Sequence, residues 1–395
     1  MEKVNDRLYS WASDIEPDTI EQAAKTSRLP IVEDHVALMP DAHVGIGATV
    51  GSVIATKGAV IPAAVGVDIG CGMIAAELPF TANHVPDDLN ALLAQISRSI
   101  PAGVGKGHGK IRKSAEQWYY KNPPASDISY KKSQAALEQF GTLGSGNHFF
   151  ELCLDERDVV WVVLHSGSRG VGNQLASDHI KTAKGLERNL NAKLEDPDLA
   201  YFLEGEPEFQ AYIGDMLWAQ SYAFANRHEM MRGALRQVWD AFMGRDTSDM
   251  SAEDRYSRLI NCHHNFTERE THGDKKLWIT RKGAIKADVN DYGVIPGSMG
   301  TRSYIVKGKG NTDSWKSCSH GAGRRMSRGE AKRRFNAADL MVAMQGKTWQ
   351  QRDAQQLIDE IPASYKDIDQ VMDDQKDLVE IEHTLHQVLN YKGTK

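Results

Sequence analysis

Residues 38–73 read LMPDAHVGIGATVGSVIATKGAVIPAAVGVDIGCGM. The stretch holds seven glycines in 36 residues, and its only acidic or basic side chains besides His43 are Asp41, Lys57 and Asp68. A surface loop is richer in polar residues, and a plain core strand carries less glycine. Glycine serves where backbone must approach a ligand or another backbone closely. β-Branched residues alternate with the glycines, which predicts strands joined by tight turns over 38–80. The end of the stretch, VGVDIGCGM, sets Asp68 three residues before Cys71, among Gly66, Gly70 and Gly72. A carboxylate and a thiol on a tight apolar loop suit a metal site. A lone cysteine is more commonly a small buried hydrophobe, so the choice rests on the other motifs.

Outward from this stretch, residues 1–37 read as a lead-in, with a capped short helix at Asp18-Thr-Ile-Glu-Gln-Ala-Ala-Lys. Pro86–Ser99 is predicted helical, with Leu89, Leu92, Leu93 and Ile96 on one face. PAGVGKGHGKIRK (101–113) is a basic glycine-rich loop without the GxxxxGK[ST] spacing of a P-loop. GTLGSGNHFFE (141–151) is another glycine-rich turn running into apolar residues. VVWVVL (159–164) is an unbroken apolar run and reads as a buried strand. It ends in His165-Ser-Gly-Ser-Arg-Gly, and ligands commonly sit at the C-terminal ends of buried strands in α/β proteins.

Residues 173–245 read as helical, with Leu217, Tyr222, Ala225 and Met230 in a stretch free of Pro and Gly between Asp215 and Arg232. NCHHN (261–265), IPGSMGTRSYIV (295–306) and SCSHGAGRRMSR (317–328) follow. Residues 336–361 read as helix and 363–395 as an acidic closing segment. No repeat, low-complexity tract or Pro-rich linker divides the chain. Sequence-distant motifs look alike, each Gly-rich with a His or Cys, which favours one composite site over separate domains. The expectation is an α+β fold, a single domain over 1–395 with mixed sheets around a central cleft and a helical segment at 173–245.

Composition bounds the functional classes. The chain has 395 residues, 41% hydrophobic and 25% charged, as in an ordinary globular protein. The start, MEKVNDRLYSWASDIE, lacks the apolar core of a signal peptide, and no run is long enough for a membrane helix. Cys71, Cys153, Cys262 and Cys318 form no CxxC pair. This points to free thiols, a cytoplasmic setting and no membrane partner. The net charge of −6 argues against nucleic-acid binding by bulk charge. Its distribution is uneven: 302–334 carry ten Lys/Arg against two acids, 98–132 carry eight against two, and 353–382 carry ten acids against two lysines. Two basic stretches on an acidic protein suit either a polyanion held at one place or two solvated faces.

The candidate ligands are Asp68, Cys71, His148, His165, His264 and His320. All but Asp68 lie in or beside a small-residue turn or a strand end. Thiolate, imidazole and carboxylate together suit Mn, Fe, Co or Zn, not Mg or Ca, which take oxygen. Asn147, Ser298 and Ser303 supply neutral hydrogen bonds. Gly-Ser-Met-Gly and His-Gly-Ala-Gly offer backbone N–H groups able to cradle phosphate. Arg169, Arg302, Arg324 and Lys307 can neutralise phosphate charge. Metal, imidazole and a phosphate cradle equip a site for phosphoryl or nucleotidyl transfer. A metal-dependent phosphoesterase would use much the same ligands, and a polyanion-binding protein without catalysis would need only the basic stretches.

The motifs MPDAHVGIGATVGSV, VGVDIGCGM, GTLGSGNHFFEL, LHSGSRGVG, NCHHN, IPGSMGTRSY, SCSHGAGRRMSR and SYKDID together resemble the RtcB family of RNA-splicing and RNA-repair ligases, in order and over nearly the whole chain. The resemblance implies GTP- and Mn²⁺-dependent joining of an RNA 3′-phosphate or 2′,3′-cyclic phosphate to a 5′-hydroxyl. It implies guanylylation of a histidine, here His320, and two Mn²⁺ ions held by Asp68, Cys71, His148, His165 and His264, with Cys71 bridging. It implies guanylate contacts at Asn147, Glu151, Ser298, Tyr365 and Lys392, with Ser303 and the Gly321-Ala322-Gly323 backbone beside His320. The partners implied are RNA, GTP and an archease-type activator.

Overall fold

The computed structural model describes residues 1–394. The fold is α+β, framed by two sheets. The larger has seven strands in the order Arg258–His263, Gly72–Thr81, Val159–Ser166, Phe149–Leu154, Val379–Lys392, Ser303–Gly308 and Tyr292–Pro296. Each neighbouring pair in it is antiparallel. The smaller sheet runs Glu2–Asn5, Leu8–Ser10, Val32–His43, Val50–Thr56, Lys275–Lys282 and Asn265–His272. Within it Leu8–Ser10 and Val32–His43 pair in parallel, so this sheet is the mixed one.

The apolar run Val159–Leu164 is a central strand, but of an antiparallel sheet. Both faces are covered. Val160, Val162 and Leu164 pack with Met230, Ala234 and Val238 of the helix Pro207–Met243. Trp161 and Val163 pack with Val294, Ile305 and Leu385 from the far strands of the same sheet. The sheet therefore curls until its edges meet, where the Arg258 guanidinium stacks 3.9 Å from the Tyr292 ring centre. Burial on both faces removes polar alternation whatever the strand direction.

One crossing joins the sheets at the site. The chain leaves the larger sheet at His263 and enters the smaller at Asn265, so His264 is the link between them. A core including Met39, Val53, Ile279, Ile295, Tyr304 and Cys318 fills the space between the smaller sheet and the segments 284–322.

Several predicted elements need correction. The segment 173–245 is not one helix. Arg169–Gly185 and Glu187–Asn191 are followed by a turn at Pro197–Leu199 and a short strand Phe202–Leu203, before Pro207–Met243 begins. Pro197, Pro207 and Gly205, at φ 95°, enforce the break. Leu217 is 49% exposed, whereas Tyr222 and Met230 are buried. Residues 336–361 hold short helices at Ala337–Ala343 and Ala354–Leu357, separated by Gly346 at φ 78°. The N-terminal helix spans Pro17–Ser27 and starts on Pro17 without a side-chain cap. The closing segment ends in a 14-residue strand, Val379–Lys392, inside the larger sheet. Acids of the 353–382 run also answer the basic stretch: Arg302 meets Asp369 at 2.9 Å, Arg328 meets Asp359 at 2.6 Å and Lys332 meets Asp359 at 3.4 Å. Among the described residues no helix is long and apolar enough to cross a membrane.

Candidate metal and nucleotide site

Asp68 and Cys71 sit on the turn between the helix Pro62–Val65 and the strand Gly72–Thr81. The turn passes so close to its neighbours that a Cβ on Gly72 would lie 2.0 Å from the Cys262 carbonyl oxygen, and one on Gly70, at φ 71°, would lie 2.9 Å from the Gln220 Cα. Glycine is required at both positions. His148 ends the glycine-rich turn before Phe149–Leu154, and His165 lies on the adjacent strand opposite Phe149.

These elements bring five side chains together. Cys71 Sγ is 3.3 Å from His148 Nε2 and 3.2 Å from His165 Nε2. His148 Nε2 is 2.9 Å from Asp68 Oδ2, and His165 Nε2 is 2.8 Å from His264 Nε2. The ligand atoms form two groups, Asp68–Cys71–His148 and Cys71–His165–His264, with Cys71 in both. His148 Nδ1 donates to the Leu143 carbonyl at 2.9 Å and His165 Nδ1 to the Asn147 carbonyl at 3.1 Å, which aims each Nε2 lone pair inward. Burial holds His165 and His264 well below the usual histidine range, so both imidazoles are neutral. Asp68 Oδ1 and His264 Nδ1 are buried without a hydrogen-bond partner. Inward lone pairs, a shared thiol and a carboxylate are a donor set that fits a pair of divalent transition-metal ions.

A cavity of about 320 Å³ opens beside this cluster. On its wall His320 Nδ1 lies 2.6 Å from Asp41 Oδ2. The same oxygen accepts from the His320 and Gly321 backbone N–H groups, both at 3.2 Å. Asp41 is fully buried. Burial alone would raise its pKa, but the His320 ring, with His43 and Lys366, outweighs that and holds it below the usual carboxylate range. The ionised Asp41 therefore lies against Nδ1 of the His320 ring. The ring centre is 4.7 Å from that of His264.

At the other end the walls include Asn147, Phe149, Glu151, Ser298, Tyr365 and Lys392. Glu151 is buried, accepts from Asn390 Nδ2 at 2.9 Å, and is pushed up to about 8 by burial, against the pull of Lys392. Lys392 Nζ pairs with Glu360 at 2.9 Å. Tyr365 donates to Glu360 Oε2 at 2.9 Å and accepts from Arg324 Nη1 at 3.0 Å.

The model of the family described as tRNA-splicing ligase RtcB matches residues 22–393. The chain belongs to the RtcB family. The RNA-splicing ligase RtcB of Escherichia coli strain K12 is 42% identical, over 98% of this chain and 97% of its own length. The tRNA-splicing ligase RtcB of Nanoarchaeum equitans is 31% identical, over 94% and 91%. The RNA-splicing ligase RtcB of Mycobacterium bovis is 28% identical, over 89% and 95%.

In this RtcB-family chain the cavity gathers Asp68, His165, His264, His320, Gly321, Ala322, Gly323 and the guanylate candidates except Ser303. Cys71 and His148 lie directly behind that wall. Ser303 is fully buried on its strand, and it, Arg169, Arg302 and Lys307 are not lining residues. Sequence reading missed the partnership of Asp41 with His320, although Asp41 stood out as a carboxylate among apolar residues. It also missed Phe149 and Glu360, which read as an ordinary strand residue and one acid in an acidic run.

Proposed function

We propose that the protein joins an RNA 3′-phosphate or 2′,3′-cyclic phosphate end to a 5′-hydroxyl end, driven by GTP through a guanylylated His320. The RNA ligase role in tRNA splicing and repair follows from the family. The observation that carries the histidine step is the Asp41–His320 pair at 2.6 Å on the cavity wall.

In this reading Nε2 of His320 attacks the α-phosphorus of GTP, a P–N bond forms, and the bond to pyrophosphate breaks. Asp41 orients the ring and stabilises the positive charge that develops on it. A 2′,3′-cyclic end is first opened by water, which breaks the P–O2′ bond and leaves a 3′-phosphate. A 3′-phosphate oxygen then takes the GMP as the P–N bond breaks, regenerating His320. The 5′-hydroxyl oxygen attacks the activated phosphorus and GMP leaves. The Gly321-Ala322-Gly323 backbone faces the phosphates, while Asn147, Ser298, Tyr365, Lys392 and Glu151 hold the guanosine. Asp68, Cys71, His148, His165 and His264 would hold two Mn²⁺ ions, which when bound supply charge neutralisation at the phosphates. Four free cysteines support a cytoplasmic setting, and an archease-type activator is the further partner expected of the family.

The test is incubation with α-³²P-GTP and Mn²⁺. The wild-type protein should carry label in an acid-labile bond, and His320→Ala should carry none. A phosphoesterase working from the same ligands would leave the wild type unlabelled and overturn this reading.

A further inference from the structure

The helix Pro207–Met243 contributes nothing to the cavity lining, yet two consecutive residues on it reach every segment that bears a candidate ligand. Arg227 is fully buried. Its Nη1 donates to the Gly70 carbonyl at 2.7 Å and to the Ser166 carbonyl at 3.0 Å. Its Nε donates to Asn261 Oδ1 at 2.8 Å, and Nη2 lies 3.2 Å from His263 Nδ1. Gly70 adjoins Cys71, Ser166 adjoins His165, and His263 adjoins His264. Asn226 completes the set. Its Oδ1 accepts from the Gly141 N–H at 2.7 Å, and its Nδ2 donates to the Thr142 and Gly167 carbonyls at 3.2 and 3.3 Å. Gly141 and Thr142 open the turn that ends in His148.

Two features separate this from helix packing. The helix already has an apolar seam, with Met230, Ala234 and Val238 against the larger sheet, so docking does not require a guanidinium. And the acceptors of Arg227, the Gly70 and Ser166 carbonyls and Asn261 Oδ1, are all neutral, which is a costly setting for a buried cation unless its rigid planar fork serves another purpose. The fork can hold three backbone segments at fixed separations, and those separations are the ones between Cys71, His165 and His264.

We infer that Arg227, assisted by Asn226, is a positioning residue of the metal centre: it sets the mutual spacing of the ligand-bearing turns without touching metal, nucleotide or RNA. The inference rests on the reading of Asp68, Cys71, His148, His165 and His264 as metal ligands.

The experiment titrates the metal-free full-length protein with Co²⁺, whose thiolate charge-transfer absorption reports a bond to Cys71. Thermal melting of the same samples is recorded without metal. Wild type, Arg227→Lys, Asn226→Ala and Leu235→Ala are compared. Leu235 is buried on the same helix, belongs to the apolar core and makes no contact in the candidate metal cluster, so its truncation reports what lost stability alone does. Arg227→Lys should bind Co²⁺ at least about tenfold more weakly, with a shifted thiolate band. Leu235→Ala should lower the melting temperature while leaving affinity and band as in wild type. Wild-type affinity and band in Arg227→Lys would overturn the inference, as would an equal loss in Leu235→Ala. If Arg227→Lys does not fold, Asn226→Ala, which strands no buried charge, carries the same comparison. Absence of the band in wild type would remove the metal reading itself, and that outcome is distinct from a variant-specific loss.

Discussion

The two ends of the cavity are held in opposite ways. At the metal end the polar atoms lack partners: Asp68 Oδ1 and His264 Nδ1 are buried and unbonded, and neutral imidazole nitrogens face one another at 2.8 Å. Each unmatched buried group costs about 1–3 kcal/mol. At the guanylate end the charges are already matched. Glu360 takes Lys392 at 2.9 Å, the Tyr365 hydroxyl at 2.9 Å, and Arg328. On the proposed function, the first end gains stability by taking in cations, whereas the second exchanges internal ion pairs for contacts with a nucleotide, so its affinity is a difference between two matched states. His320 stands between them, tied to neither network but to Asp41.

The sharpest break of this division is His320→Ala. Guanylylation should fall on the order of 1000-fold or more, while Mn²⁺ content measured on the purified protein stays at the wild-type level. Residual label in this variant would place the nucleophile elsewhere.

Cys71→Ala should empty both metal groups together, because its sulfur belongs to both. Metal analysis should find little Mn²⁺ and labelling should be lost with it. Cys153→Ala and Cys318→Ala remove buried sulfurs outside the cluster. They should retain metal and lose about 1 kcal/mol of stability, and Cys262→Ala should be similarly mild.

Asp41→Asn tests the element between the two ends. It preserves shape but removes the charge that fixes His320 Nδ1. The guanylylation rate should drop roughly 100- to 10,000-fold, with metal and GTP affinity little changed. Equal rates in variant and wild type would leave Asp41 a purely structural residue.

Glu360→Gln asks whether the guanylate end is self-matched. The variant leaves Lys392 and Arg328 less compensated, so the free protein should melt earlier. Saturating GTP should then restore more stability in the variant than in wild type, as read by thermal shift with and without nucleotide. A smaller GTP-induced shift in the variant would show that Glu360 helps bind the ligand directly.

Glu151→Gln should have the smallest effect, roughly tenfold on the preference for GTP over ATP in guanylylation rate. It also has a pH signature. Burial raises the folded pKa of Glu151 from the ordinary 4.5 to about 8. Between these values the folded state holds the proton more tightly than the unfolded one, so this group's contribution to stability falls as pH rises through that window. Urea unfolding at pH 5 and pH 8 should show a shallower pH dependence in Glu151→Gln than in wild type.

Much of the fold was legible where side-chain chemistry is local. Strands with tight turns over 38–80, the Leu92–Leu93–Ile96 face and the strand at 159–164 all stand in the structure. Less legible were elements governed by partners. The strand Val379–Lys392 carries charged and polar residues along its exposed half and reads as an acidic tail, but it pairs between Phe149–Leu154 and Ser303–Gly308. The breaks around Pro197 and Gly346 fall at residues that mark them, but the helical periodicity on either side is the stronger signal in the sequence.

The site divides along the same line. The residue types of the motifs alone determined that Asp68, Cys71, the histidines and the glycine-rich turns belong to one chemistry, because few other combinations suit metal and phosphate together. Only the tertiary structure decided that Cys71 stands in both ligand-atom groups, that Asp41 faces His320, that Glu360 pairs with Lys392 and Arg328, and that Arg227 spans the turns bearing the candidate ligands. Each of these is a meeting of residues tens to hundreds of positions apart. Sequence fixes what a side chain can bond, whereas the curl of the larger sheet and the crossing at His264 fix which partners come within reach.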